Sequence, residues 1–317
     1  MSRLETSLAG RFYGDTDVER VPLIFILASP RTGSTMVYQV LINAFGLSYI
    51  PNFVNDHCRR FPILGSAAFR LFARPRAVTL QSDHGKTKGW RGPSEGSALF
   101  RRWFGGEHPS QTRSCKVLPG QEPHLRMTMA SLYAMSGRPI VLKNAWNCFR
   151  VEELHRMFPG SLFLWLRRDI GASATSDLRA RYRRGSPLVW NSATPANYEA
   201  IRERPYWEQV VEQQYEYNAT LERDLARVCP RQFLELWYED LCEHPAGELD
   251  RIGGFLASRG LAVRRTAWEV PALGRSAAAQ ARPDDEARIR DYVNQHLGRL
   301  SSHVYGSRKP SALQLQA

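Results

Sequence analysis

The stretch that most constrains this chain is Leu23–Phe45, which reads LIFILASPRTGSTMVYQVLINAF. Leu23–Leu27 is an apolar run with the length and β-branched content of a strand buried on both faces. Pro30-Arg31-Thr32-Gly33-Ser34-Thr35 then predicts a tight turn of small residues around one arginine. Met36, Val37, Val40, Leu41 and Ala44 follow at helical spacing, and Gly46 stands where that helix can end. Strand, small-residue loop and helix, in that order, gather backbone N–H groups at a helix N-terminus and aim them at an anion such as phosphate. A nucleoside-triphosphatase loop would end in Gly-Lys-Ser/Thr; here Arg31, Thr32 and Gly33 precede Ser34, which counts against a P-loop small-molecule kinase. A single glycine in the turn excludes the dinucleotide fingerprint.

Two more motifs lie downstream. Leu162–Leu166 (LFLWL) reads as a strand, followed by Arg167-Arg168-Asp169 and then by Ser173 and Ser176, so that Arg168 and Ser176 stand eight residues apart. Phe233–Leu241 (FLELWYEDL) is a strand running into Tyr-Glu-Asp-Leu, with Pro245 shortly after. Together with PRTGST, these motifs resemble those of the PAPS-dependent sulfotransferases, in the family's order, from Leu23 to Pro245. The resemblance implies one α/β domain with a mostly parallel central sheet flanked by helices, the P-loop-kinase-like sulfotransferase architecture. It implies a sulfuryl transfer from 3′-phosphoadenylyl sulfate (PAPS) to a hydroxyl or amine, with PAP as product and no metal. On this likeness Arg31, Thr32, Gly33, Ser34 and Thr35 hold the 5′-phosphosulfate. Arg31 also steadies the departing oxygen, where many relatives carry lysine. Arg168 and Ser176 would hold the 3′-phosphate with Arg167 and Ser173 as helpers, Tyr238 would lie near the adenine, and Glu239 and Asp240 would support neighbouring loops.

The general base is not given by the family pattern. Cytosolic relatives carry a histidine in Lys-Thr-His at a strand end, but this chain reads Lys143-Asn144-Ala145: the lysine, able to contact sulfuryl oxygens, is kept and the histidine is missing. Tyrosylprotein-type relatives use a glutamate after the loop, where this chain has Pro51–His57 and no glutamate. An acceptor hydroxyl still needs a group to take its proton. Glu95 and His84, in a segment dense in glycine, charge and aromatics, are the leading candidates, followed by Asp56 and His57. His155 and His244 read as helix-surface histidines and His303 as a tail residue.

Composition sets the partners. A net charge of +12 calls for nucleic acid, an anionic membrane surface or anionic small ligands. No helix-turn-helix, zinc-finger or aromatic RNA-binding signature accompanies the arginines, so no nucleic acid is expected. A trianionic nucleotide with a small-molecule or saccharide acceptor, a glycolipid included, explains the charge, with peripheral association with an anionic membrane beside it. A non-catalytic module binding an anionic ligand is the remaining alternative. Cys58, Cys115, Cys148, Cys229 and Cys242 form no CxxC pair and no metal spacing, and read as reduced thiols of a cytoplasmic protein.

Along the chain, residues 1–22 read as a polar leader that packs loosely if at all, 23–308 as the domain and 309–317 as a flexible tail. Residues 48–115, whose short apolar pieces are broken by Pro51, Pro62, Pro75 and Pro93, read as acceptor-side loops, with Trp90, Phe100, Trp103 and Phe104 as lining for a cleft. Helices are expected over Pro123–Met135, Val151–Phe158, after Asp169, over Tyr206–Val228 and over Leu249–Leu256, a strand over Pro139–Lys143, and a mobile segment over Pro271–Asp285.

Overall fold

The strand β1 (Leu23–Ala28) is buried along its whole length because alternate side chains enter different cores. Leu23, Phe25 and Leu27 face one cluster, Ile24, Ile26 and Ala28 the other. The computed structural model describes residue 5 and residues 20–73, 77–83, 86–106, 115–261, 263–273 and 282–306. After β1 come α1 (Ser34–Phe45), α2 (Asn52–His57) and α3 (Pro62–Phe72). A two-stranded antiparallel hairpin, β2 (Ser82–Asp83) and β3 (Lys86–Thr87), leads to α4 (Ser97–Phe104) and α5 (Glu122–Ser136). Then follow β4 (Ile140–Lys143), α6 (Val151–Met157), β5 (Leu162–Arg167), α7 (Ile170–Arg183), α8 (Tyr198–Arg202) and α9 (Tyr206–Val228). Last come β6 (Phe233–Trp237), α10 (Tyr238–Glu243), α11 (Pro245–Ser258), α12 (Pro283–Gln295) and α13 (Leu297–Leu300).

The strands β4-β1-β5-β6 form one parallel sheet. Helices α1 and α11 cover one face through Val37, Val40, Leu41, Leu249, Ile252 and Leu256. The other face is covered by α4, α5, α6 and α9, and a third cluster joins α7, α9, α12 and α13 through Ile170, Leu178, Val210 and Ile289. The chain is thus a single α/β domain, as the alternating strands and helices predict. Among the described residues no helix is long and apolar enough to cross a membrane.

Four expectations change. The stretch 48–115 carries α2, α3 and α4, and Phe100, Trp103 and Phe104 are core residues at 0–1% exposure, so of the four aromatics expected to line a cleft Trp90 alone does so. Its prolines mislead, because Pro62 occupies the first turn of α3, where a missing N–H costs nothing. In the leader, Glu5 is buried and its carboxylate accepts the Ile63 amide at 3.1 Å. The segment expected to be mobile ends in the start of α12, whose first turn holds Asp284, Asp285 and Glu286 against the helix dipole; its residues 274–281, like 307–317, lie outside the described residues.

His303 is the fourth. It is 3% exposed, and its Nδ1 accepts from Arg167 Nη2 at 2.7 Å, which places the ring proton on Nε2 because a guanidinium only donates. The same Nη2 donates to the Ser302 carbonyl at 2.6 Å, while Nη1 pairs with Glu235 at 2.9 Å. Trp165 and Trp237 each put a ring 4.7 Å from the guanidinium. Arg167 is therefore a structural clamp between β5, β6 and the C-terminal turn rather than a phosphate helper. Burial, then the charges of Arg167 and Arg299, push the His303 imidazole down to about 3. Its folded value lies below the ordinary 6.5, so its contribution is complete above that pH and is lost as pH falls toward about 3. Urea midpoints taken at descending pH should fall more steeply in the parent than in His303→Gln; equal slopes would remove His303 from the acid response.

Candidate active site

The register decides which residues meet. Ile26 lies opposite Lys143, Ala28 opposite Leu166, and Arg167 opposite Trp237. The loop leaving β1 is therefore flanked by Lys143 on one side and by Arg168 and Tyr238 on the other. This is the carboxyl edge of a parallel sheet, where ligands of such folds bind.

The loop is held in an unusual backbone shape. Arg31 has φ 66°, a left-handed conformation that costs a side-chain-bearing residue about 1–3 kcal/mol. Arg168 Nη1 donates to the Arg31 carbonyl at 3.0 Å and Arg31 Nε donates to Ser176 Oγ at 3.3 Å. Two of the predicted phosphate-binding positions thus already converge on the third. The Thr32 hydroxyl turns inward and donates to the Ser29 carbonyl, and Thr32 is fully buried, so its side chain shapes the turn from within. Gly33, with φ 88°, is the N-cap of α1, and helix geometry leaves the first amides of α1 without intrahelical carbonyls.

Tyr238 lies under this turn. A Cβ on Gly33 would sit 2.3 Å from its ring, and the Arg168 guanidinium lies over the ring 4.8 Å from its centroid. At 4% exposure Tyr238 is a support for the loop and for Arg168, not an open platform for a base. Glu239 and Asp240 support loops as expected: Glu239 Oε1 accepts the Asp169 amide at 3.0 Å, and Asp240 Oδ1 accepts the Tyr305 hydroxyl at 2.8 Å. Asp169 caps α7 through Ala172 N at 2.9 Å and also accepts the Tyr305 amide at 3.0 Å. Ser173 is buried with its hydroxyl turned away from any hydrogen-bond partner among the described residues.

Positive charge dominates here. Burial draws the Arg31 guanidinium below its ordinary range, Asp177 opposes that, and Arg183, Arg168 and Arg184 reinforce it. Asp177 is itself committed: Arg181 Nε and Asn191 Nδ2 donate to it at 3.2 and 2.6 Å. A bound polyanion would relieve this repulsion.

A second group lies on the other side of the loop. Lys143 Nζ donates to Thr35 Oγ1 at 3.1 Å and pairs with the Glu95 carboxylate. Asn144 Nδ2 donates to the Glu95 carbonyl at 3.0 Å, and its Oδ1 caps Trp146 N at 3.0 Å. Glu95 is thus fixed at its side chain by Lys143 and at its backbone by Asn144. The anchoring role of Asn144 has no signal in the sequence, because its partner is 49 residues away. His84 lies outside the described residues. Asp56 and His57 are exposed at the end of α2; Asp56 accepts from Asn55 at 2.7 Å, and among the described residues no hydrogen bond ties either to the loop. A cleft of about 710 Å³ runs beside α1, walled in part by Tyr49, Phe69, Trp90, Arg91 and Pro93, two residues before Glu95.

Gly33→Ala should destabilise the fold by roughly 2–4 kcal/mol through the left-handed φ and the collision with Tyr238. In denaturant unfolding, Gly33→Ala combined with Tyr238→Ala should lose less than the two single losses added, by about 1 kcal/mol or more. Strict additivity would mean that the ring does not press on the loop.

A model of the sulfotransferase family matches residues 22–259, from the residue before β1 to the end of α11. Among solved structures, a sulfotransferase from Alicyclobacillus acidocaldarius is similar with a TM-score of 0.48 and 14% identity, over 92% of this chain and 98% of that one. A sulfotransferase from Mycobacterium avium has a TM-score of 0.49 and 17% identity, over 92% of this chain and 75% of that one. The sulfotransferase domain from the curacin biosynthetic pathway gives 0.44 and 15%, over 86% and 96%. No curated protein sequence matches. The family match takes in the β1–α1 loop, Arg168, Ser176 and Tyr238 and spans most of the chain: it belongs to the sulfotransferase family.

Proposed function

We propose that the chain transfers a sulfuryl group from PAPS to a hydroxyl or amine of an acceptor, with a saccharide or glycolipid as the favoured class and the cytoplasm as its place of work. The observation that carries this reading is the convergence of Arg31, Arg168 and Ser176 on one loop, with the Lys143–Glu95 pair on its far side. The α1 amides and Arg31 would receive the 5′-phosphosulfate. Arg168 and Ser176 would receive the 3′-phosphate, the group that separates PAPS from ATP. Among the described residues none of the five cysteines forms a disulfide, which fits a reducing compartment.

In the transfer, the acceptor oxygen forms a bond to sulfur, the bond from sulfur to the 5′-phosphate oxygen breaks, and PAP leaves with that electron pair. Charge develops on the sulfuryl and leaving oxygens, where fixed cations and amides are most effective. Lys143, now paired with Glu95, would turn to the sulfuryl oxygens, and Glu95 would take the acceptor proton. The carboxylate is 32% exposed, so an acceptor can reach it. Asn144 would keep it in place.

Calorimetry without magnesium should show adenosine 3′,5′-bisphosphate binding well ahead of ADP, and Arg168→Ala should erase that preference. Equal binding of both by the parent would sink the donor assignment. Glu95→Gln should lower turnover by about 10²- to 10⁴-fold while leaving nucleotide affinity in place. Unchanged turnover would move the base elsewhere.

A further inference from the structure

Helix α3 is apolar on two sides. Its inner side, with Pro62, Ile63, Gly65 and Ser66, is buried, and Gly65 meets Cys58 so closely that a side chain there would not fit. Its outer side carries Leu64, Ala67, Ala68 and Leu71, spaced i, i+3, i+4 and i+7, which is one continuous helical face. Phe61 and Phe72 flank it at the two ends. None of these six is buried; Leu71 is 81% exposed, Phe72 78% and Phe61 44%. Leu64, Ala67 and Ala68 are half-buried, but three large exposed apolar residues joined by such a face form a patch rather than scattered single residues, and a patch marks a surface that something covers.

The charges around the face say what. Arg59 and Arg60 precede α3 and Arg70 lies in its last turn, all exposed. Arg102 donates to the carbonyls of Arg59 and Arg60 at 3.2 Å each, which fixes the turn that presents them. The nearest carboxylate in sequence, Asp56, already accepts from Asn55. A second copy of the chain is an unfavourable cover, because a two-fold contact through α3 would set these same arginines against one another. A bilayer with acidic headgroups complements both the apolar face and the arginines. Phe69 and Ala73 lie on the opposite side of α3, where they form part of the wall of the 710 Å³ cleft, and Trp90 packs edge-on against Phe69 at 5.5 Å.

We propose that α3 lies flat on the surface of an anionic bilayer, with Leu71 and Phe72 entering the headgroup layer and Arg59, Arg60 and Arg70 meeting lipid phosphates. This docking does not depend on the transfer reaction, so the two can be tested apart.

The experiment is co-sedimentation of the full chain with vesicles of phosphatidylcholine, alone or mixed with phosphatidylglycerol. The parent should sediment with the mixed vesicles and less so as salt rises. Leu71→Ser combined with Phe72→Ser changes only exposed side chains, so the fold, checked by circular dichroism, stays intact. Partition of that variant should drop by about tenfold or more. Arg70→Glu should weaken it several-fold on the mixed vesicles. Sedimentation of the double variant equal to that of the parent, equal binding to both vesicle types, or no binding by the parent would overturn the proposal. A dimer in light scattering that the double variant dissolves would also overturn it and assign the face to a second copy.

Discussion

The candidate site depends on the close approach of Tyr238 to Gly33. The loop after β1 needs a left-handed turn at its helix cap, and only a residue without a side chain leaves room for the ring beneath it. That contact seats β6–α10 against the loop, and Arg168 lies over the same ring. Arg168 then reaches the Arg31 carbonyl and holds the second left-handed residue. The strain in the loop is thus maintained by packing and hydrogen bonds from two other strands, which is how a surface loop comes to hold one shape.

Charge is distributed unevenly for a reason that geometry makes plain. The carboxylates near the loop are already committed: Asp177 to Arg181 and Asn191, Asp169 to backbone amides, and Glu239 to the Asp169 amide. Arg31, Arg168, Arg183 and Arg184 therefore sum to a strong positive field at the strand ends. Lys143 has a carboxylate facing it across the loop, and that carboxylate is the candidate base. The two flanks are chemically distinct, one carrying arginines and the other a lysine–carboxylate pair.

The C-terminal turn belongs to this arrangement. Ser302 and His303 clamp Arg167, and Tyr305 ties Asp169 to Asp240. Arg168 stands between Arg167 and Asp169, so its backbone is fixed from both neighbours. A histidine that reads as part of a tail is a buried acceptor in that clamp, since nothing in local sequence reveals a partner 136 residues away.

What the sequence determined by itself was the part whose physics is local. The apolar run of β1, the small-residue turn and the cap at Gly46 each concern residues within one element or its neighbour, and each lies where it was expected. The alternation of strands and helices likewise predicted a parallel sheet, because such strands need crossover connections. Only the tertiary structure decided that Lys143 pairs with Glu95, that Arg167 is a clamp while Arg168 is available to the loop, and that Tyr238 supports rather than faces a ligand. The same holds for residues 48–115, where prolines suggested loops and packing made helices. These outcomes depend on strand register and on contacts across dozens of residues, where one arginine is chemically identical to its neighbour until the sheet turns them to opposite sides.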